Sequence, residues 1–128
     1  VIDMTNIDQR DPATWCDLHG AHVAGDTVTL YKALGGDLTS GGGYNPIAWP
    51  TSGEIVCDDF DPADRCGGGL HLGPTPSHAT AYRADATRWL KVTAQLGDLA
   101  PVIDGTAKVK VARCVVVGEV DRWGADIR

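Results

Sequence analysis

The chain is sparing with several residues that large classes of protein require. It holds one Phe and one Met, and no uninterrupted apolar run approaches a membrane helix in length, so the sequence predicts no transmembrane helix. Glutamate is almost missing: of 17 acidic residues only Glu54 and Glu119 are glutamates, which leaves chemistry that needs one with two candidates. Basic residues are also outnumbered, 11 against 17, for a net charge of −6. That field opposes contact with phosphate backbones and argues against nucleic acid as a partner. The four cysteines include no C-x2-C pair. The opening stretch VIDMTNIDQRDP lacks the basic-then-apolar pattern of a secretory leader, which gives the expectation of an intracellular chain. No repeat, heptad or low-complexity tract is present.

What remains is an ordinary globular composition, 43% hydrophobic over 128 residues, enough for one domain with its own core. We read residues 1–26 as a helix-and-loop extension and 27–123 as the core. Asp11 caps a short helix with Pro12 at its first position and Gly20 past its end, placing Cys16 and His19 on one face. DTVTLYKAL reads as a strand, GGDLTSGGGYNP as a loop and GEIVCDDF as a second strand. GGGLHLGPTPSHATAYRAD reads as a strand at Leu70–Leu72 stopped by Gly73-Pro74. A helix then runs from Thr75 to Trp89, with Thr75 as cap, Pro76 at its start, and Ala79, Tyr82, Ala86 and Trp89 at helical spacing. WLKVTAQL alternates as a strand. AKVKVARCVVVGEV is predicted to be one strand passing from an exposed edge into the core at Val115–Val117, with a bulge near Arg113. Five or six strands and one or two helices make a mostly antiparallel α+β domain, with Leu70–Leu72 expected beside Val115–Val117.

A strand running into a capped helix leaves backbone N–H groups at a sheet edge, a geometry that receives anions and nucleotides. The plainer reading of Gly67 to Asp85 is a punctuated turn. Cys16, His19 and His22 have metal-like spacing, and with Cys57 and Cys66 they define a possible zinc site. The missing C-x2-C pair weighs against zinc, and no metal is assigned. In an oxidising setting Cys57 and Cys66 form a disulfide; Asp58, Asp59, Asp61 and Asp64 between them offer calcium ligands or a solvated loop. Cys114, in an apolar strand, is expected to be buried and inert.

Gly69-Leu70-His71-Leu72-Gly73, followed by Ser77, Ala79 and Tyr82, resembles the "GIYFA…S-x-S-x-x-Y" segment of the ADP-ribosyltransferase fold. CVVVGEVDRW is similar to the last strand region of the rifampin type, and LYKALGGDLTSGGG to an early strand with its following loop. The likeness extends to the poly(ADP-ribose) polymerase-like group and spans residues 27 to 123. It implies an α+β domain that binds NAD or a related nucleotide, active as a mono-ADP-ribosyltransferase or NAD-cleaving enzyme, or degenerate. Cleavage would need a carboxylate facing the ribosyl cation and an aromatic ring on the nicotinamide. On this resemblance Lys32 and His71 stand where the family has His or Arg and Tyr or Ser. Tyr82 matches the stacking tyrosine, Ser77 and Gly69 the remaining binding positions, and Glu119, Asp104 or Asp98 the acid. These groups are expected around one cleft. Taken singly, each has a plain structural reading too, Lys32 as a solvated strand residue and Tyr82 as core. The pattern "YKA…DLTS…C…GLH…P" with a valine-rich terminal strand also resembles a family of small phage-encoded domains. That likeness implies a phage or prophage origin, a place in the host cytoplasm or the virion, and a non-enzymatic accessory role on a host or virion protein.

Overall fold

The computed structural model describes residues 8–40, 47–63, 68–81, 83–103 and 107–127. Asp11 starts helix α1 (Pro12–His19) by accepting the Thr14 N–H on its carboxylate, and Gly20, at φ 73°, ends it in the left-handed region that suits glycine. Trp15 and Cys16 are the buried residues of this helix and join the main core. Strand β1 (His22–Ala24) turns through Gly25 into β2 (Thr27–Leu34), pairing His22 with Thr29 and Ala24 with Thr27. The two-residue strands β3 (Thr39–Ser40) and β4 (Ile47–Ala48) pair with each other, and β5 (Gly53–Val56) follows. Next come β6 (Leu70–Leu72), helix α2 (Pro76–Thr80), β7 (Arg88–Gln95), β8 (Ala100–Val102), β9 (Lys108–Val111) and β10 (Arg113–Val120). The domain is α+β, its described pairings all antiparallel, in sheets ordered β1-β2-β7-β10-β5, β6-β9-β8 and β3-β4. No described helix is long and apolar enough to cross a membrane.

One face of the five-stranded sheet carries Val28, Leu30 and Leu34 from β2 and Leu90, Val92 and Ala94 from β7. It packs on Leu70, Leu72, Val109 and Val111 of the three-stranded sheet. A smaller cluster of Ala33, Ala79, Trp89 and Val120 lies beyond it. Each fully buried Leu or Val contributes roughly 1.5–3 kcal/mol.

Four expectations need correction. The helix after Gly73-Pro74 starts as predicted, with Thr75 capping His78 N–H and Pro76 in its first turn, but ends at Thr80. Trp89 belongs to β7, where Ala33 and Val120 flank it in register. Of the residues read at helical spacing, Ala79, Ala86 and Trp89 meet in the small cluster from separate elements. Leu70–Leu72 pairs with β9, not with β10. The predicted single strand divides at Ala112, sending Lys108–Val111 to one sheet and Arg113–Val120 to the other. Val115–Val117 is therefore not a continuous buried run. Val116 is 1% exposed, whereas Val115 and Val117 are 45% and 51% exposed on the open face of β10. The bulge falls at Val117, between the pairs Val116–Val92 and Gly118–Lys91, rather than near Arg113.

Candidate functional site

The two larger sheets touch and then part at the end of β6. Tyr31 and Gly73 exchange both backbone hydrogen bonds, at 2.8 and 2.9 Å, in an isolated antiparallel bridge. Glycine is needed at position 73 because a Cβ there would lie 2.8 Å from the Ala79 nitrogen, in the backbone of α2. The next pair in that register would be Ala33 with His71, but the ladder stops. Lys32 replaces it: its Nζ donates to the His71 carbonyl oxygen at 3.0 Å. The same Nζ lies 5.3 Å from the centre of the Trp49 ring, a cation–π contact, and Trp49 Nε1 is fixed by a 2.8 Å bond to the buried Ser40 hydroxyl.

Lys32 is only 7% exposed, so it is not the solvated strand residue of the plain reading. Burial, and after it the charges of Arg83 and Lys108 against the opposing effect of Cys114, together bring its pKa down to about 8. His71 stands in register with Lys110 across β6 and β9, and Lys108, two residues earlier, shares that face. Burial first, and then Lys32, Lys108 and Lys110, hold the His71 imidazole down at about 4, with Asp59 acting the other way. It is therefore neutral near pH 7 and offers one N–H donor and one acceptor. Lys110 is completely buried, and its Nζ has no hydrogen-bond partner among the described residues. Its stem runs across Gly69, at φ 137°, where a Cβ would sit 3.3 Å from Lys110 Cβ and 3.2 Å from Phe60 Cδ1. The Asp59–Asp61 segment is laid against this corner by the Asp61 N–H, which donates to the Gly68 carbonyl at 3.0 Å.

The chain has four lysines, and three of them, Lys32, Lys108 and Lys110, are buried around His71. Lysine is among the residues least often fully buried. An acidic protein thus concentrates positive charge at one internal place, an arrangement suited to holding an anion. Sequence reasoning found Lys32, His71 and Gly69 but missed Lys108, Lys110, Trp49 and Asp59. The readable signal for the two lysines was AKVKV, whose alternation puts both on one side of a strand.

The remaining candidates are not gathered here. Glu119 lies on the same side of the sheet as Lys32, each in register with Leu90. However, both its oxygens are taken by Arg88, through Nε at 2.9 Å and Nη2 at 2.7 Å, and Arg88 Nη1 also donates to the Gly36 carbonyl. The hydrogen bonds from Arg88 hold the Glu119 carboxyl below the usual glutamate range. Ser77 is exposed on α2, and Asp98 is exposed in the 3-10 turn Leu96–Asp98, beyond the Gln95–Thr27 pair at the other end of β2. Tyr82 and Asp104 lie outside the described residues; of the expected site residues the structure joins Lys32 to His71, with Gly69 just before β6.

No group of three potential metal ligands forms among the described residues. His19 lies against the Trp15 ring, with centroids 5.2 Å apart, and His22 is exposed on β1. Cys16, Cys57 and Cys114 are free thiols, while Cys66, the expected partner of Cys57, lies outside the described residues. Burial raises Cys16 to about 11 and Cys114 to about 12. Under native alkylation near pH 8, Cys57 is expected to react well before Cys16 and Cys114. Peptide mass mapping checks this order, and early labelling of Cys114 would contradict the packing of β10.

With this geometry in place, comparison with known proteins adds one assignment. The model of DUF7666, a domain of unknown function, matches residues 28–127. The chain belongs to the DUF7666 family. Neither a curated protein nor a solved structure matches it. The DUF7666 match takes in every lysine of the cluster, His71 and Trp49, and leaves α1 and β1 outside it.

Proposed function

We propose that this DUF7666 domain binds NAD or a related nucleotide where β2 and β6 part, in the manner of an ADP-ribosyltransferase-like fold. The observation that carries the reading is the 3.0 Å bond from Lys32 Nζ to the His71 carbonyl. It joins the two positions that the resemblance assigns to the nucleotide site. The buried positive charge around them supports an anionic ligand, and Trp49 supplies an aromatic face beside it. Binding is the proposed function and transfer is not. A ribosyl cation needs a free carboxylate opposite it, and among the described residues Glu119 is held on both oxygens by Arg88 while Asp98 lies at the other end of β2.

A second reading, an accessory protein that docks on another protein, is favoured by the open face carrying Val56, Val115 and Val117 on β5 and β10. Calorimetric titration with NAD and ADP-ribose, with chromatography for released nicotinamide, separates the two. Saturable binding of both ligands without nicotinamide release is expected. Release of nicotinamide would restore a transferase, and no binding at millimolar ligand would favour the docking role.

A further inference from the structure

We propose that the open face of β10 and β5 is a self-complementary interface on which a second copy of this chain docks, Arg113 of each copy meeting Glu54 of the other. The inference goes beyond the nucleotide reading and does not rest on it, because Lys32 stands on the opposite, core-facing side of the same sheet. The argument starts from which residues share the open face. Val115 and Val117 alternate with buried Val116, and Val56 follows buried Ile55, so the three exposed valines stand on the side away from the main core. Helix α2 covers only the far end of that side, where Ala79 packs with Ala33, Trp89 and Val120. Neighbouring aliphatic side chains left half in water on a sheet face mark a contact surface.

Charge complementarity commits this face to a second copy. The register pairs Val115 with Glu54 and Arg113 with Val56, so these four residues form a rectangle with a valine at two opposite corners and the base and the acid at the others. Its sides are about 5 Å across the strands and about 7 Å along them. Arg113 and Glu54 are both exposed, and among the described residues neither has an ion pair. A two-fold axis along the diagonal from Val115 to Val56 exchanges the charged corners. It sets Val115 on Val115 and Val56 on Val56, and lays Arg113 over the Glu54 of the other copy at two symmetric places. The strands then cross steeply, as in orthogonal sheet packing. The apolar centre is small for a dimer, so half of the chains are expected to pair only at about 100 μM.

Sedimentation equilibrium of the full chain up to about 1 mM tests the interface, with a monomer–dimer equilibrium expected. Arg113→Glu and Glu54→Arg each oppose like charges at both contacts, and each is expected to weaken pairing about tenfold or more. Mixing the two variants, or combining both changes in one chain, puts opposite charges back at both contacts and is expected to restore pairing. Val115→Asp, which sets two carboxylates together on the axis, is expected to abolish pairing and carries the test if a charge variant does not fold. A native chain that stays monomeric throughout leaves the face to a different protein and overturns the proposal. Folded single variants that pair as the native chain does overturn it too, as does a mixture of the two charge variants that stays monomeric.

Discussion

Between pH 8 and 10.5 the native chain should gain about 3 kcal/mol of stability relative to a Lys32→Met variant. The folded-state pKa of Lys32 is held at about 8, below the 10.5 of the free side chain, because the ammonium is buried beside other cations. Within that window the unfolded chain retains the Lys32 proton that the native chain has released. Stability therefore rises with pH from this group and is flat below the window, where both states are protonated. The comparison with Lys32→Met is needed because the thiols of Cys16, Cys57 and Cys114, all raised by burial, act in the opposite sense. Cys16 and Cys114, raised to about 11 and about 12, keep their protons in the native state after the unfolded chain has lost them, so they lower stability as pH climbs past 9. Both chains share those thiols, so the difference removes their common part and reports Lys32 together with its charge coupling to Cys114. Loss of the bond to the His71 carbonyl costs the variant about 1 kcal/mol throughout, an offset and not a slope. Urea unfolding at half-unit pH intervals gives the curve. Parallel curves would mean that Lys32 is solvated.

A second large effect is expected from one methyl group. Gly68→Ala places its Cβ on the carbonyl oxygen of Asp59, where the obstacle is backbone and cannot rotate away. The Asp59–Asp61 segment must then lift from the corner, breaking the Asp61 to Gly68 bond and drawing Phe60 away from Gly69. Destabilisation of about 3 kcal/mol, or roughly 10 °C in Tm, is the expected scale. Gly97→Ala is the control, since nothing lies within 4 Å of its added carbon. It should change stability by less than about 0.5 kcal/mol. Equal Tm values for the two variants would show that the segment does not sit against Gly68.

The local signals in the sequence were legible where they acted locally. Asp11 with Pro12, Thr75 with Pro76, and Gly20 mark helix ends through caps and fixed torsions that need no distant partner. β2 and β7 were readable because one buried face imposes alternation on each. Pairing was not readable in the same way. AKVKVARCVVVGEV has one uninterrupted β pattern, and only the parting of two sheets at Ala112 decides that its halves go to different partners. Trp89 suited a helix by spacing, but a strand by position between Ala33 and Val120. At the site, Lys32 and His71 came from a resemblance and the structure brings them together. Lys108 and Lys110 were hidden because the reading expected that part of the strand at an exposed edge. Gly69, which lies against the Lys110 stem, approaches from elsewhere in the chain.

The most direct test of the central claim, that the parting of β2 and β6 holds an anionic nucleotide, is the proton balance of ADP-ribose binding near pH 9. Lys32 is mostly neutral there in the free protein, and a bound pyrophosphate would draw its pKa back toward the ordinary lysine value. Titration in two buffers of different ionisation heat should show binding with uptake of roughly one proton in the native chain. In Lys32→Met the uptake should disappear and the affinity should fall about tenfold. Failure of ADP-ribose to bind, or binding with the same proton balance and affinity in both chains, would contradict the account.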